Sequence, residues 1–167
     1  MSTLKVDTIQ NVAGVEQARL VQVVNTETGA VATGTTTMPI DDTIPQNDEG
    51  NEVMTLAITP THASNKLLIE VVVTMANATS GRNLEVALFQ DSTAGALASQ
   101  FSYMATGGGN HIQKLTHYMT AGQTSSTTFK VRIGSASSGT ITFNGYSGAR
   151  KHGGVAASSI TISEIRV

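Results

Sequence analysis

Ser159-Ile160-Thr161-Ile162-Ser163-Glu164-Ile165-Arg166-Val167, the closing stretch of the chain, alternates apolar and polar residues. A period of two lets one face of an extended strand be buried while the other stays wet. The apolar rhythm slips between Ile162 and Ile165, as a β-bulge would make it. A chain that finishes in this way is expected to have its C-terminus tied into a sheet.

Runs of the same kind recur upstream, separated by clusters of Gly, Ser, Thr, Asn and Asp. Asn65 to Met75 is the strongest. Leu67, Ile69, Val71, Val73 and Met75 alternate on one face, while Leu68 and Val72 make the other partly apolar. Such a strand belongs in the middle of a sandwich or against a neighbouring subunit. Thr124 to Ile133 puts Phe129, Val131 and Ile133 in, with Lys130 and Arg132 out. Further strands are expected at Leu20 to Val24, Met38 to Ile40, Val53 to Thr59, Leu84 to Leu88, around Phe101 and Tyr103, at His111 to Met119 and at Gly139 to Phe143. Pro60 ends the Val53 run, because proline cannot donate to a ladder.

Short strands at this spacing, with no convincing helix, predict an all-β sandwich or barrel. Eight main strands in two sheets would make a jelly roll, the preferred reading. No period of 20–50 residues marks a solenoid or propeller, and no heptads mark a stalk. Residues 1–17 read differently: Leu4, Val6 and Ile9 give a short extended pattern before the turn Asn11-Val12-Ala13-Gly14. They are expected to form an arm ahead of a domain over residues 18–167.

Composition narrows the function classes. Charged residues are 13% of the 167, and the net charge is −2. That balance does not suggest a nucleic-acid partner, whose binders carry a basic excess. No apolar run of about 18 residues exists, so no membrane insertion is expected. No apolar signal region follows Met1, which argues for synthesis in the cytoplasm. Cys is absent, which removes disulfides and thiolate chemistry. Aromatics are only 4% and Trp is missing, so the core must be aliphatic.

The candidate chemistry is thin. Asp41, Asp42, Asp48, Glu49 and Glu52 fall together, and flexible acidic loops can hold calcium, but their spacing matches no EF-hand. A solvated loop explains them. His111 and His117, on one face of a strand, would stand about 20 Å apart, too far for one ion. No Gly-x-Ser-x-Gly elbow occurs. Gly107-Gly108-Gly109 lacks the Lys-Ser/Thr of a phosphate loop. The expectation is therefore no catalytic residue, no metal and no cofactor. Arg150, Lys151 and His152 form a basic cluster in the loop Ser147 to Ala157, which an exposed loop tip explains as well as an anionic partner does.

Several stretches resemble the small structural and tail-fibre proteins of marine and cyanobacterial tailed phages. They are Leu4-Lys5-Val6-Asp7-Thr8-Ile9-Gln10-Asn11, Asp41 to Gly50 with Met54 to Pro60, Asn65 to Ile69, and Ser158 to Ile162. The resemblance implies a tumour-necrosis-factor-like jelly roll that assembles as a homotrimer. It also implies that the arm docks on other virion proteins, with Leu4, Val6 and Ile9 as its apolar contacts.

The expected function is thus a virion surface protein, a fibre or knob contributing to host attachment. The alternative is a capsid decoration protein; a glycan-binding or glycan-cleaving module is a third reading. Leu68, Val72, Phe101, Tyr103 and Tyr118 are the expected trimer interface, and Val72→Asp is expected to dissociate it. Gly108, Asn110, Arg150, Lys151 and His152 are the expected receptor loops for a host-surface glycan or protein, since loops carry recognition on rigid β scaffolds.

Overall fold

The computed structural model describes residues 19–105 and 109–167. Among these residues twelve strands run in chain order: β1 (Arg19–Thr28), β2 (Ala32–Gly34), β3 (Asn51–Ile58), β4 (Lys66–Asn77), β5 (Arg82–Gln90), β6 (Ala98–Met104), β7 (Asn110–Thr120), β8 (Thr127–Gly134), β9 (Ile141–Phe143), β10 (Gly145–Tyr146), β11 (Ala149–Arg150) and β12 (Ser158–Arg166). A single 3-10 turn, His152–Gly154, is the only helical element among the described residues. No described helix is long and apolar enough to cross a membrane.

The eight long strands divide into two antiparallel sheets. Sheet one runs β1-β12-β4-β7, and the short β9 and β2 extend it beyond β12 along the same side of β4. Sheet two runs β3-β8-β5-β6. Counting the long strands along the chain, sheet one takes the first, eighth, third and sixth, and sheet two the second, seventh, fourth and fifth. That interleaved order is the double Greek key of a jelly roll. The chain is an all-β jelly-roll sandwich.

The core between the sheets is aliphatic with a few phenylalanines, as the composition demands. Leu67, Ile69, Val71, Val73 and Met75 from β4 meet Leu84, Val86 and Leu88 from β5 and Phe129, Val131 and Ile133 from β8. Each set comes from strict alternation, so the register that buries one member buries all.

Two expectations need correction. Met38-Pro39-Ile40 is not a strand: Met38 leaves its neighbours to plug the outer face of sheet two, against Ala87 and Phe89. Pro39 cannot donate to a ladder there. The closing strand carries no slip either. Ile160, Ile162 and Glu164 all point inward, and the irregularity lies opposite, between Leu20 and Gln22 of β1.

The acidic loop is spent on its own geometry. Thr43, through its hydroxyl and then its backbone N–H, holds the Asp41 carboxyl below its ordinary range. Glu49 accepts from the Gln46 N–H at 2.8 Å. Arg132 donates to the Glu49 and Gly50 carbonyls and pairs with Glu52 at 3.6 Å.

Glu85, on the outer face of β5, is buried beneath this segment with one carboxylate oxygen unpartnered. Burial pushes its pKa from 4.5 to about 7, against the Ala136 N–H that lowers it and with the Glu49 charge that raises it further. A raised carboxyl contributes stability that is complete below pH 4.5 and lost as pH climbs through about 7. Glu85→Gln is expected to raise stability at pH 8 by about 1–2 kcal/mol. Urea unfolding at pH 5 and pH 8 checks this, the gain being confined to the higher pH.

Candidate functional site

The outward face of sheet one carries exposed and half-buried apolar side chains set among polar and charged ones. Across it run parallel rows of side chains: Leu20, Ile165, Lys66 and Thr120; then Val23, Ser163, Leu68 and Tyr118; then the polar row Asn25, Thr161, Glu70 and Thr116; then Glu27, Ser159, Val72 and Lys114. Ile112 continues the face at the far end of β7, 68% exposed. Three of the expected interface residues, Leu68, Val72 and Tyr118, thus meet on one surface.

The other two do not join them. Phe101 and Tyr103 lie on β6, the edge strand of sheet two, opposite Glu85 and Asn83, and are 63% and 64% exposed. The chain therefore carries two separate sticky surfaces, a sheet face and an edge. Leu20, Val23, Ile112 and Ile165 belong to the first and were not anticipated. The alternation within β7 alone would have found Ile112; Leu20 and Val23 are obscured by the irregularity in β1.

A second constellation forms where β4, β7 and the segment after β9 meet. Asn144 is fully buried at φ 53° and ties three elements together. Its amide donates to the Thr28 and Ala30 carbonyls, and its oxygen accepts from Ser158, whose hydroxyl accepts from the Thr74 N–H. From this anchor β10 and β11 make a two-residue hairpin. Its turn residues, Ser147 and Gly148, both have positive φ, 51° and 74°, as a type I′ turn requires.

The hairpin and the 3-10 turn bring Tyr146, Lys151 and His152 beside Asn110 and Thr74, around a pocket of about 90 Å3. Lys151 Nζ sits 5.9 Å from the centre of the Tyr146 ring, within cation–π range. His152 holds a φ of 50°, a conformation that costs a side-chain-bearing residue about 1 kcal/mol or more. Of the expected receptor residues, the structure gathers Asn110, Lys151 and His152. Arg150 is exposed on β11 outside the pocket lining. Gly108 lies outside the described residues, as do Leu4, Val6 and Ile9 of the arm.

The end of the sandwich opposite this pocket is fastened by Glu164, fully buried on β12. Its carboxylate accepts four hydrogen bonds: from Gln22 and Asn65 side-chain amides, both at 2.6 Å, and from the Thr61 N–H and hydroxyl at 2.8 and 2.9 Å. Burial by itself would raise its pKa. The bonds from Asn65, Gln22 and Thr61 outweigh that and hold it at about 2.

The histidines do not converge. His111 and His117 sit on the inner face of β7, opposite Met75 and Ile69, and burial lowers the pKa of His117. Among the described residues no three metal-ligating side chains come together.

The jelly roll thus presents an uncovered sheet face, apolar residues on the β6 edge and a polar loop pocket. The chain belongs to the family of the Pgp3 C-terminal domain, whose sequence model matches residues 31–167. No curated protein sequence matches it significantly.

Among solved structures it is similar to the Eiger TNF of S. frugiperda, at 9% identity and a TM-score of 0.44, over 85% of this chain and 92% of that one. It is also similar to a chain of infectious bursal disease virus strain Gx, at 10% identity and TM-score 0.42, over 98% of this chain and 41% of that one. The VP2 subviral particle of the same virus gives 11%, 0.41, 99% and 44%. The chain spans less than half the length of these viral chains.

Proposed function

We propose that the protein is a homotrimeric structural and attachment module of a virus particle. The observation that carries the oligomer is the pair of unlike sticky surfaces. A two-fold dimer of sheet faces would leave Phe101 and Tyr103 bare. A ring in which the β6 edge of one copy packs on the sheet-one face of the next uses both, and such head-to-tail contacts close when the rotation allows. Native mass spectrometry at micromolar concentration is expected to give three times the chain mass; a monomer or dimer overturns the proposal.

The virion assignment draws on the sequence resemblance to tailed-phage structural proteins. In this reading residues 1–17 dock the trimer on the particle through Leu4, Val6 and Ile9, and the jelly roll over 18–167 points outward. Copies made in a host cytoplasm would then be found on the particle as a fibre or knob. Antibody label on intact particles tests this: label on tails supports the fibre, and label over the head favours the decoration protein. The module acts by binding, without catalysis; release of reducing ends from envelope glycans by the purified chain would contradict that.

Host recognition is assigned to the loop pocket around Asn110, Tyr146, Lys151 and His152. Lys151→Ala is expected to weaken attachment to host cells about tenfold, with the trimer intact, as loss of one charge-assisted contact would do. His152→Gly relieves the positive φ, so it is expected to lose attachment with no loss of stability. Pull-down of the trimer on host envelopes, alongside thermal unfolding, checks both.

A further inference from the structure

Glu85 is only 4% exposed, yet its Oε1 accepts no hydrogen bond among the described residues. The carboxylate is held by the Ala136 N–H alone. Buried carboxylate oxygens are normally paired, and one that is not calls for a reason. The charges packed around it supply no partner. Glu49 repels it. Arg132, which β8 brings to this face opposite Ala87, donates instead to the Glu49 and Gly50 carbonyls and pairs with Glu52.

Glu85 lines a pocket of about 130 Å3 where β6 meets the segment 38–45. Met38, Pro39, Ile40, Pro45 and Phe101 form its apolar wall; Asp41, Thr43, Ser99 and Gln100 complete it. Phe101 stands directly opposite Glu85 in the β5–β6 register and is 63% exposed. Thr43 directs both of its bonds at Asp41 Oδ1, so the second oxygen of that carboxylate is left to accept. Sites for whole small ligands begin at about 300 Å3, so what fits here is one side chain of a larger body.

From this arrangement we infer that the pocket is a binding site for a lysine side chain presented by a partner protein. The apolar wall suits the four-carbon stem, and the ammonium brings donors for Glu85 Oε1 and for Asp41. A guanidinium fork wants both oxygens of one carboxylate, and the Ala136 N–H already holds Glu85. The exposed Phe101 ring adds an aromatic surface of the kind that attracts a cation. A hard metal ion fits less well: it takes six to eight oxygens, and among the described residues no three metal-ligating side chains gather. The site is distinct from the Lys151 loop pocket and does not rest on the oligomer proposed above.

A cation pairs with Glu85 only when the carboxyl is ionised, and that carboxyl titrates at about 7. Asp41, Glu49 and Arg132 with its partner Glu52 are the other charged groups packed around it, from the 38–49 segment, β3 and β8; β6 brings only neutral side chains to the pocket. Binding should therefore tighten about tenfold from pH 6 to pH 8.

The test is titration of the full chain with Nα-acetyl-lysine N-methylamide at low ionic strength, read by backbone amide shifts. The norleucine and arginine counterparts are the comparison probes. The ring proposed above would cover Phe101, so the parent and the Leu68→Asp chain are titrated alike, and saturation in either supports the site. The lysine probe is expected to saturate with a Kd on the order of 1–10 mM at pH 8, and norleucine to bind at least about tenfold more weakly. Glu85→Gln is expected to weaken the lysine probe about tenfold while the chain stays folded, and Arg150→Ala to leave it unchanged. No saturable shift in either chain by about 50 mM, equal binding of norleucine, or a Glu85→Gln variant that binds like the parent overturns the site. A Kd that does not change between pH 6 and pH 8 overturns the role of Glu85. Arginine binding as tightly as lysine overturns the ligand class.

Discussion

Glu164→Ala is expected to cost about 2–4 kcal/mol of stability at pH 7, and much less at pH 3. The cost comes from the partners. Removing the carboxylate leaves the Thr61 N–H without its acceptor and takes one acceptor each from the Asn65 amide, itself 3% exposed, and the Gln22 amide, which keep the Thr61 hydroxyl and the Thr59 carbonyl. Buried donors without acceptors carry the desolvation penalty that the carboxylate had offset. Water entering from the adjoining open cleft, which Thr61 and Asn65 line, recovers part of it and keeps the figure below that of a sealed site.

The pH dependence identifies the cause. The folded-state pKa of Glu164, about 2, lies below its ordinary 4.5. A depressed carboxyl contributes stability that is present above pH 4.5 and lost as pH falls through about 2. The parent therefore loses this contribution in acid, whereas the variant has none to lose, and the gap between them narrows. Guanidinium unfolding at pH 7, 4 and 3, at one protein concentration, measures it, since an oligomer's stability depends on concentration. A gap of constant size across that range would mean that a void, and not the hydrogen-bonded charge, is responsible.

Glu164 also shows where sequence reading stops. The strands themselves were legible because each inward set repeats with period two. In β4 both faces carry apolar residues, which pointed to a central position, and β4 does pair on both sides, with β12 and β7. Glu164 occupies an inward position of the same alternation, but in the sequence a charge there looks like an interruption of the kind a bulge makes. Its partners lie far away in the chain, Gln22 at a separation of 142 residues and Thr61 at 103. Only the closed fold shows that this carboxylate is buried and satisfied.

The loop pocket was half legible for the same reason. Lys151 and His152 stand out as charges in a Gly-rich loop, and Asn110 as a loop end. Tyr146 and Thr74 enter only because β10 packs on β4 and the Asn144 network draws the segment down onto the sheet. Met38 escapes sequence reading because apolar residues flanking a proline look like a short strand. What decided its place was the uncovered surface of Ala87 and Phe89 on a distant strand.

Leu68→Asp is expected to dissociate the proposed trimer into folded monomers, more completely than Val72→Asp does. Both side chains are only partly buried in the single chain and point away from the core, so neither change opens a cavity between the sheets. In the assembled ring each variant would place a carboxylate in an apolar contact, three times over. A buried charge without a partner costs about 3–5 kcal/mol, which exceeds what a packed aliphatic side chain gains. The register separates the two variants. Val72 stands opposite Lys114, so an aspartate there acquires a cation beside it. Leu68 stands between Tyr118 and Ser163, with Val23 beyond, and has no cation among its cross-strand neighbours. Sedimentation velocity is expected to show monomer for Leu68→Asp and a mixture for Val72→Asp, with unchanged β-type circular dichroism in both. Phe101→Ser on the β6 edge is the decisive companion. In a head-to-tail ring it breaks the other half of the same contact and yields monomers as well. Were the sheet faces to meet about a two-fold axis instead, the β6 edge would stay outside the contact and Phe101→Ser would sediment like the parent.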